Sequence, residues 1–198
     1  TSRRQRQMCI RDRDDKLSAF IKLLGKLKDR YDKERDLAKI PVVIEGEEYK
    51  LSAGKHNLVQ AAVIEEFAPR FAPGAKVLYI GDTENKDLYV DKVALEKISI
   101  PITEHSKLPD IIIYDECKEW LFLIEVVTSH GPVSPKRMLE LEDFLKESEV
   151  GKIYVTAFPD RAEFRKHIAD IAWETEVWIA DNPDHMIHFN GDRFIGPR

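Results

Sequence analysis

The stretch KLPDIIIYDECKEWLFLIEVVTS, residues 107–129, decides the fold. Residues 111–114 and 121–128 are two apolar runs rich in β-branched and aromatic side chains, hence two strands. The polar segment 115–119 between them predicts a hairpin. Two carboxylates mark its open end. Asp110 stands at the mouth of the first strand, and Glu125 interrupts the second after a further fourteen residues. A charge inside such a run is unfavourable unless it is paired, protonated or bound to a cation. The hairpin would bring both groups to one edge of a sheet. With the backbone carbonyl of Val126 and waters, they form an oxygen donor set suited to Mg²⁺. Spacing alone leaves a second reading open, in which Glu125 is a core-edge glutamate paired with a lysine and Asp110 caps a loop.

The flanking sequence extends the pattern in both directions. Upstream lie a small hairpin around Glu45-Gly46-Glu47, a helix over residues 57–71 stopped by Pro73-Gly74, a short buried strand at 77–80, and a brief helix at 91–97. Downstream, Ser134-Pro135 supplies an N-cap and first-turn proline for a helix to about residue 147. A strand at 153–156, a helix at 161–172 and strands at 177–180 and 186–189 follow, with Trp173 and Trp178 both expected in the core. This order predicts an α/β fold, a mixed central β-sheet flanked by helices. Further upstream, Leu17, Ile21, Leu24, Leu27 and Tyr31 make one amphipathic helical stripe within residues 14–39. Residues 1–13, TSRRQRQMCIRDR, carry no apolar period and read as a disordered tail or a sequencing artefact.

Composition narrows the function classes. The chain has 198 residues, 43% hydrophobic and 34% charged, with few Gly and Pro, which excludes disordered and collagen-like classes. No apolar run approaches the roughly 18 residues of a membrane span, and no signal-peptide pattern is present. Two cysteines, Cys9 and Cys117, make no disulfide framework, so a reducing cytoplasmic location is expected. Net charge is −5, divided as +4 over residues 1–50 and −9 over residues 51–198. An acidic body argues against non-specific grip on nucleic acid, but is compatible with an enzyme that gathers carboxylates around a metal. The string VLYIGDTEN superficially resembles a methyltransferase cofactor strand, but Gly81 alone makes no glycine-rich loop. The histidines have no zinc-like spacing with cysteine.

The pattern Pro109-Asp110…Glu125 resembles the PD-(D/E)XK nuclease signature, and the element order is similar to that fold's core. Longer strings are more specific. LSAGKHN (51–57), IEEFAPRFAPGA (64–75), YIGDTENKDLYVD (79–91), KLPDIIIYDE (107–116), IEVVTSHGPVSPKR (124–137), GKIYVTAFPD (151–160), IAWETEVWIA (171–180) and PDHMIHFNGDRF (183–194) resemble the BsuBI/PstI family of type II restriction endonucleases. The resemblance covers about residues 40–198. It implies a Mg²⁺-dependent, site-specific deoxyribonuclease of a restriction–modification system that acts on double-stranded DNA at a CTGCAG-like palindrome. A homodimer matching the two-fold site and a cognate DNA methyltransferase as functional partner follow from the same resemblance. It further implies that residues 51–198 are the catalytic domain and residues 14–50 the tail of an N-terminal helical DNA-binding domain.

By the resemblance, Asp110 and Glu125 are the metal-binding carboxylates. The chain departs from the superfamily at Val127, where most members carry a lysine. Lys136, on the first turn of the helix after Ser134-Pro135, is the expected substitute, with Lys86 and His130 as weaker choices. Superfamily enzymes often add a helix glutamate to the metal, for which Glu65 is expected, ahead of Glu66; Asp82 is a further possible member. The missing lysine leaves one rival function, a nuclease-fold module that binds DNA without cutting it. A structural domain with no DNA role is the third.

Overall fold

The computed structural model describes residues 38–84, 87–101, 107–128, 131–191 and 197. A boundary between Lys39 and Ile40 divides the chain into two units. Apart from residues 38 and 39, the expected tail and the 14–39 helix lie outside the described residues. The second unit opens with the expected hairpin, β1 (Ile40–Ile44) against β2 (Glu47–Leu51). Its two-residue turn, Glu45-Gly46, has φ of 50° and 84°. Positive φ at both positions matches the right-handed twist of the paired strands, and glycine takes it without strain. Val42, Ile44 and Leu51 bury their side chains in the same core as the main sheet, so the hairpin belongs to the sheet's unit.

The helix expected at residues 57–71 runs as α1 (Lys55–Ala62), a π-helical turn at Val63–Phe67, and α2 (Ala68–Phe71). Among the described residues, seven strands form the main sheet: β3 (Lys76–Ile80), β4 (Tyr89–Val90), β5 (Ile111–Asp115), β6 (Trp120–Val126), β7 (Gly151–Phe158), β8 (Glu176–Ile179) and β9 (Met186–His188). Their order is β4-β3-β5-β6-β7-β8-β9. β5 and β6 form the expected antiparallel hairpin, β6, β7 and β8 run parallel, and β9 returns antiparallel. The parallel steps are made by α4 (Pro135–Phe144) and α5 (Arg161–His167). A shorter α3 (Lys92–Lys97) is capped by Asp91, whose side chain accepts from the Ala94 N–H. This is the expected mixed sheet flanked by helices.

Strand alternation divides the core between two faces. Ile111, Ile113, Phe122 and Ile124 pack with Val59, Val63 and Phe67 of the α1 run on one face. The Phe67 ring meets Phe122 at 6.0 Å and Trp178 at 5.7 Å, both edge to face. On the other face Ile112, Leu121, Leu123 and Tyr154 pack under Leu95 after the α3 start and Leu141 of α4. Each such side chain removed from water stabilises the fold by about 1.5–3 kcal/mol before entropy is counted. Continuous apolar runs in β5 and β6 thus follow from cover on both sides.

Three sequence expectations change. Trp178 is buried, but Trp173 is 73% exposed, its ring lying against Phe189 at 5.8 Å. The neighbouring Ile171 and Ala172 take the core positions, and the chain turns the next side chain outward. The helix expected over 161–172 ends at His167 and tightens into a 3₁₀ turn at Ile168–Asp170. The two-residue edge strand β4 carries too short an apolar signal to be read from sequence.

Candidate active site

The register Ile111↔Ile124 places Asp110 opposite Glu125 on the next rung of the β5–β6 ladder. Asp110 lies just before β5, and its Oδ2 accepts the Val126 N–H at 2.7 Å, which ties the end of β6 to the start of β5. Its Oδ1 faces His56 Nε2 at 3.3 Å, from the first turn of α1. Sequence reasoning missed His56. Only docking of α1 on the sheet carries a residue 54 positions upstream to the hairpin mouth.

Glu125 follows Leu121 and Leu123 on one face of β6 and, at the strand's end, lines a cleft of about 490 Å³ with His56, Asp110, Val126, Ser134 and Arg137, among others. Its side chain is only 16% exposed. Arg137 Nε donates to Oε1 at 2.8 Å, and Nη2 lies within ion-pair distance of the same oxygen at 2.7 Å, leaving Oε2 without a hydrogen bond from any described residue. Arg137 is itself held by the carbonyls of Lys107 and Leu108 at 3.1 and 3.0 Å. Burial, and then the charge of Asp110, push the Glu125 carboxyl up from 4.5 to about 7, against the opposing pull of Arg137 and His56. His56 is raised as well: burial pulls it down, but the hydrogen bond and charge of Asp110, with Glu125 and Asp82 behind, outweigh that. At the hairpin mouth the cleft therefore sets Glu125 beside a second carboxylate, that of Asp110, with the Arg137 guanidinium only partly offsetting the cost of its charge.

The other expected site residues divide. Val126 lines the cleft. Glu65 is exposed and does not line it, while Glu66 pairs with Arg70 at 2.6 Å. Val127 is fully buried among Phe158, Ile171, Val177 and Ile179, so the usual lysine position is an apolar one. Lys136 is exposed on the outer side of α4, and the neighbouring Arg137 is the helix cation that faces the cleft. The Ser134 cap accepts from the Arg137 N–H at 3.2 Å and starts the helix that carries both residues. Asp82 is buried nearby in a network with Ser52 and Asn57, accepting from them at 2.6 Å each through Oδ1. Lys86 and His130 lie outside the described residues.

A divalent ion has a matching donor set here. Two hard carboxylates meet at one rung, and one carries an oxygen with no described donor beside a charge it disfavours. Mg²⁺ keeps several waters and needs only one or two protein carboxylates. Among the described residues no group of three or more His, Cys, Asp or Glu is arranged to hold an ion.

The seven-stranded mixed sheet flanked by helices is the fold of a restriction endonuclease, as its match to a solved member shows. The chain belongs to the BsuBI/PstI restriction endonuclease family, whose domain model matches residues 40–192. It is 48% identical over 182 residues to the type II restriction enzyme BsuBI of Bacillus subtilis, covering 91% of this chain and 58% of that enzyme. To the type II restriction enzyme AplI of Arthrospira platensis it is 27% identical over 187 residues, covering 90% and 57%. The solved structure of the SdaI restriction endonuclease superposes with a TM-score of 0.75 at 40% identity, over 86% of this chain and 54% of that one. The chain thus spans somewhat more than half the length of these relatives.

Proposed function

We propose that this chain carries the catalytic part of a type II restriction endonuclease that hydrolyses DNA phosphodiester bonds with Mg²⁺. The single observation that carries the reading is the Asp110–Glu125 rung, two carboxylates facing one cleft with Glu125 held near neutrality. Asp110 and Glu125 would hold the ion, with the Val126 carbonyl as a third protein oxygen. The bound ion would supply a Lewis acid beside the scissile phosphate. Arg137 orients the Glu125 carboxylate through one oxygen, by a hydrogen bond from Nε and an ion-pair contact from Nη2, which leaves the other oxygen available to the ion. His56 holds Asp110 from the first turn of α1, at the rim where charge would grow on the phosphate oxygens. Lys136, exposed at the start of α4 and absent from the cleft lining, is not assigned the nucleophile-positioning role expected of it.

The finer reading follows the family resemblance. The target is a CTGCAG-like palindrome, read by a homodimer whose two-fold axis matches the site. The cell holds a cognate methyltransferase, and the setting is the cytoplasm, where DNA and Mg²⁺ are available. Among the described residues no helix is long and apolar enough to cross a membrane. Residues 51–198 are assigned as the catalytic domain, and the β1–β2 hairpin that precedes them shares its core.

The buried Val127 supports one rival, a DNA-binding module without cleavage. Plasmid incubation with Mg²⁺ separates them. Discrete fragments from the wild type, lost with EDTA and in Asp110→Ala, support the nuclease. Intact plasmid that is nonetheless retarded on a gel supports the module, and neither cleavage nor retardation sinks both.

A further inference from the structure

A second cleft, of about 570 Å³, lies between α5 and the β8–β9 edge. Arg161 and Arg165 stand on one wall at i,i+4, His185 and Asn182 on the other, and Val177 and Ile187 form the floor. Neither arginine makes an ion pair or hydrogen bond with any described residue. Three of the acids nearby are engaged elsewhere. Glu163 pairs with Lys166 at 2.7 Å and His167 at 3.3 Å, Asp160 caps α5 through the Glu163 N–H, and Asp184 holds Arg70 at 2.6 Å. In a body with net charge −9 over residues 51–198, two unpaired guanidiniums in one cleft call for an anionic ligand.

The sheet register relates this cleft to the carboxylates. Glu125, Thr156, Val177 and Ile187 are successive partners across β6, β7, β8 and β9, so their side chains share one face. Strands are about 4.8 Å apart, which puts the floor about 10–14 Å from Glu125 along that row. The loop carrying Val133, whose N–H donates to Thr156 Oγ1 at 3.1 Å, rises between the two clefts and makes them separate sites. On a duplex, 10–14 Å along the axis is about three or four base pairs.

We infer that Arg161 and Arg165 grip the phosphate backbone of the DNA substrate three or four base pairs from the bond held at Asp110 and Glu125. This rests on the nuclease reading of the first cleft. The test is equilibrium binding of a fluorescein-labelled DNA duplex, in EDTA to prevent cleavage, across a salt series. It compares the whole chain with Arg161→Ala/Arg165→Ala and with Arg161→Lys/Arg165→Lys. Each lost phosphate contact lowers the magnitude of the slope of log K against log salt by about 0.9. The alanine pair is expected to lower it by about 2 and weaken low-salt binding by tenfold or more, while the lysine pair keeps the slope. Both arginines are exposed helix positions, and unchanged circular dichroism checks that the fold survives. An unchanged slope in the alanine pair overturns the cleft assignment alone. No salt-dependent binding by the wild type overturns the DNA reading with it. A change of sedimentation coefficient in the alanine pair with the slope intact assigns the cleft to a second copy of the chain, and refutes the inference.

Discussion

Replacing Glu125 by glutamine should stabilise the metal-free protein while removing its activity. A carboxyl whose folded value is about 7 against an ordinary 4.5 binds its proton more tightly folded than unfolded. Ionised Glu125 therefore costs stability. The penalty grows as pH rises from about 4.5 to about 7 and is constant above that. At 1.36 kcal/mol per pH unit it reaches about 3 kcal/mol at pH 8, and falls below about 1 kcal/mol at pH 5. Glutamine keeps an oxygen for Arg137 and removes the buried charge. Expected is a gain of up to about 3 kcal/mol at pH 8, a rise of up to about 6–12 °C in Tm for a chain of this size, falling to less than a third of that at pH 5. Thermal unfolding in EDTA across that range measures it. Mg²⁺ should reverse the order, stabilising the wild type more at pH 8 than at pH 6 and leaving Glu125→Gln largely unmoved. A glutamine variant that is less stable than the wild type by the same amount at pH 8 and pH 5 would refute the reasoning. Glu125 would then be a satisfied half of an ion pair with Arg137, not a strained metal ligand.

Two other perturbations follow from the same contacts. Arg137→Ala removes the main cation opposing the shift on Glu125, so the carboxyl should titrate above 7; the variant should lose about 1–3 kcal/mol at pH 8 and much less at pH 5, as read by thermal melts at both. Phe67→Ala should cost about 3–5 kcal/mol by denaturant unfolding, independent of pH and Mg²⁺, because it empties the contact among α1, β6 and β8 without touching the cleft.

How far the site could be read in advance depended on the distance over which each residue is positioned. Asp110 and Glu125 are joined by one short hairpin, so their convergence is a local property that alternation and turn length disclose. Glu65 is different. The π turn at Val63–Phe67 adds a residue to the helical period, so its phase relative to the sheet does not continue that of α1, and Glu65 emerges exposed. On α4 the choice between Lys136 and Arg137 is a rotation of about 100°, settled by how the helix lies on Leu141 and its neighbours.

The apolar runs of β5 and β6, the Ser134-Pro135 start of α4 and the paired carboxylates were written in the sequence, because strand and helix formation answer to side chains a few residues away. The His56–Asp110 contact, the Arg137 clamp on Glu125, the burial that lifts its carboxyl, and the alignment of the arginine cleft with the same sheet row exist only once helices dock on strands. Those contacts join residues from different elements, and their energies depend on distance and on water excluded by packing, neither of which a one-dimensional pattern carries.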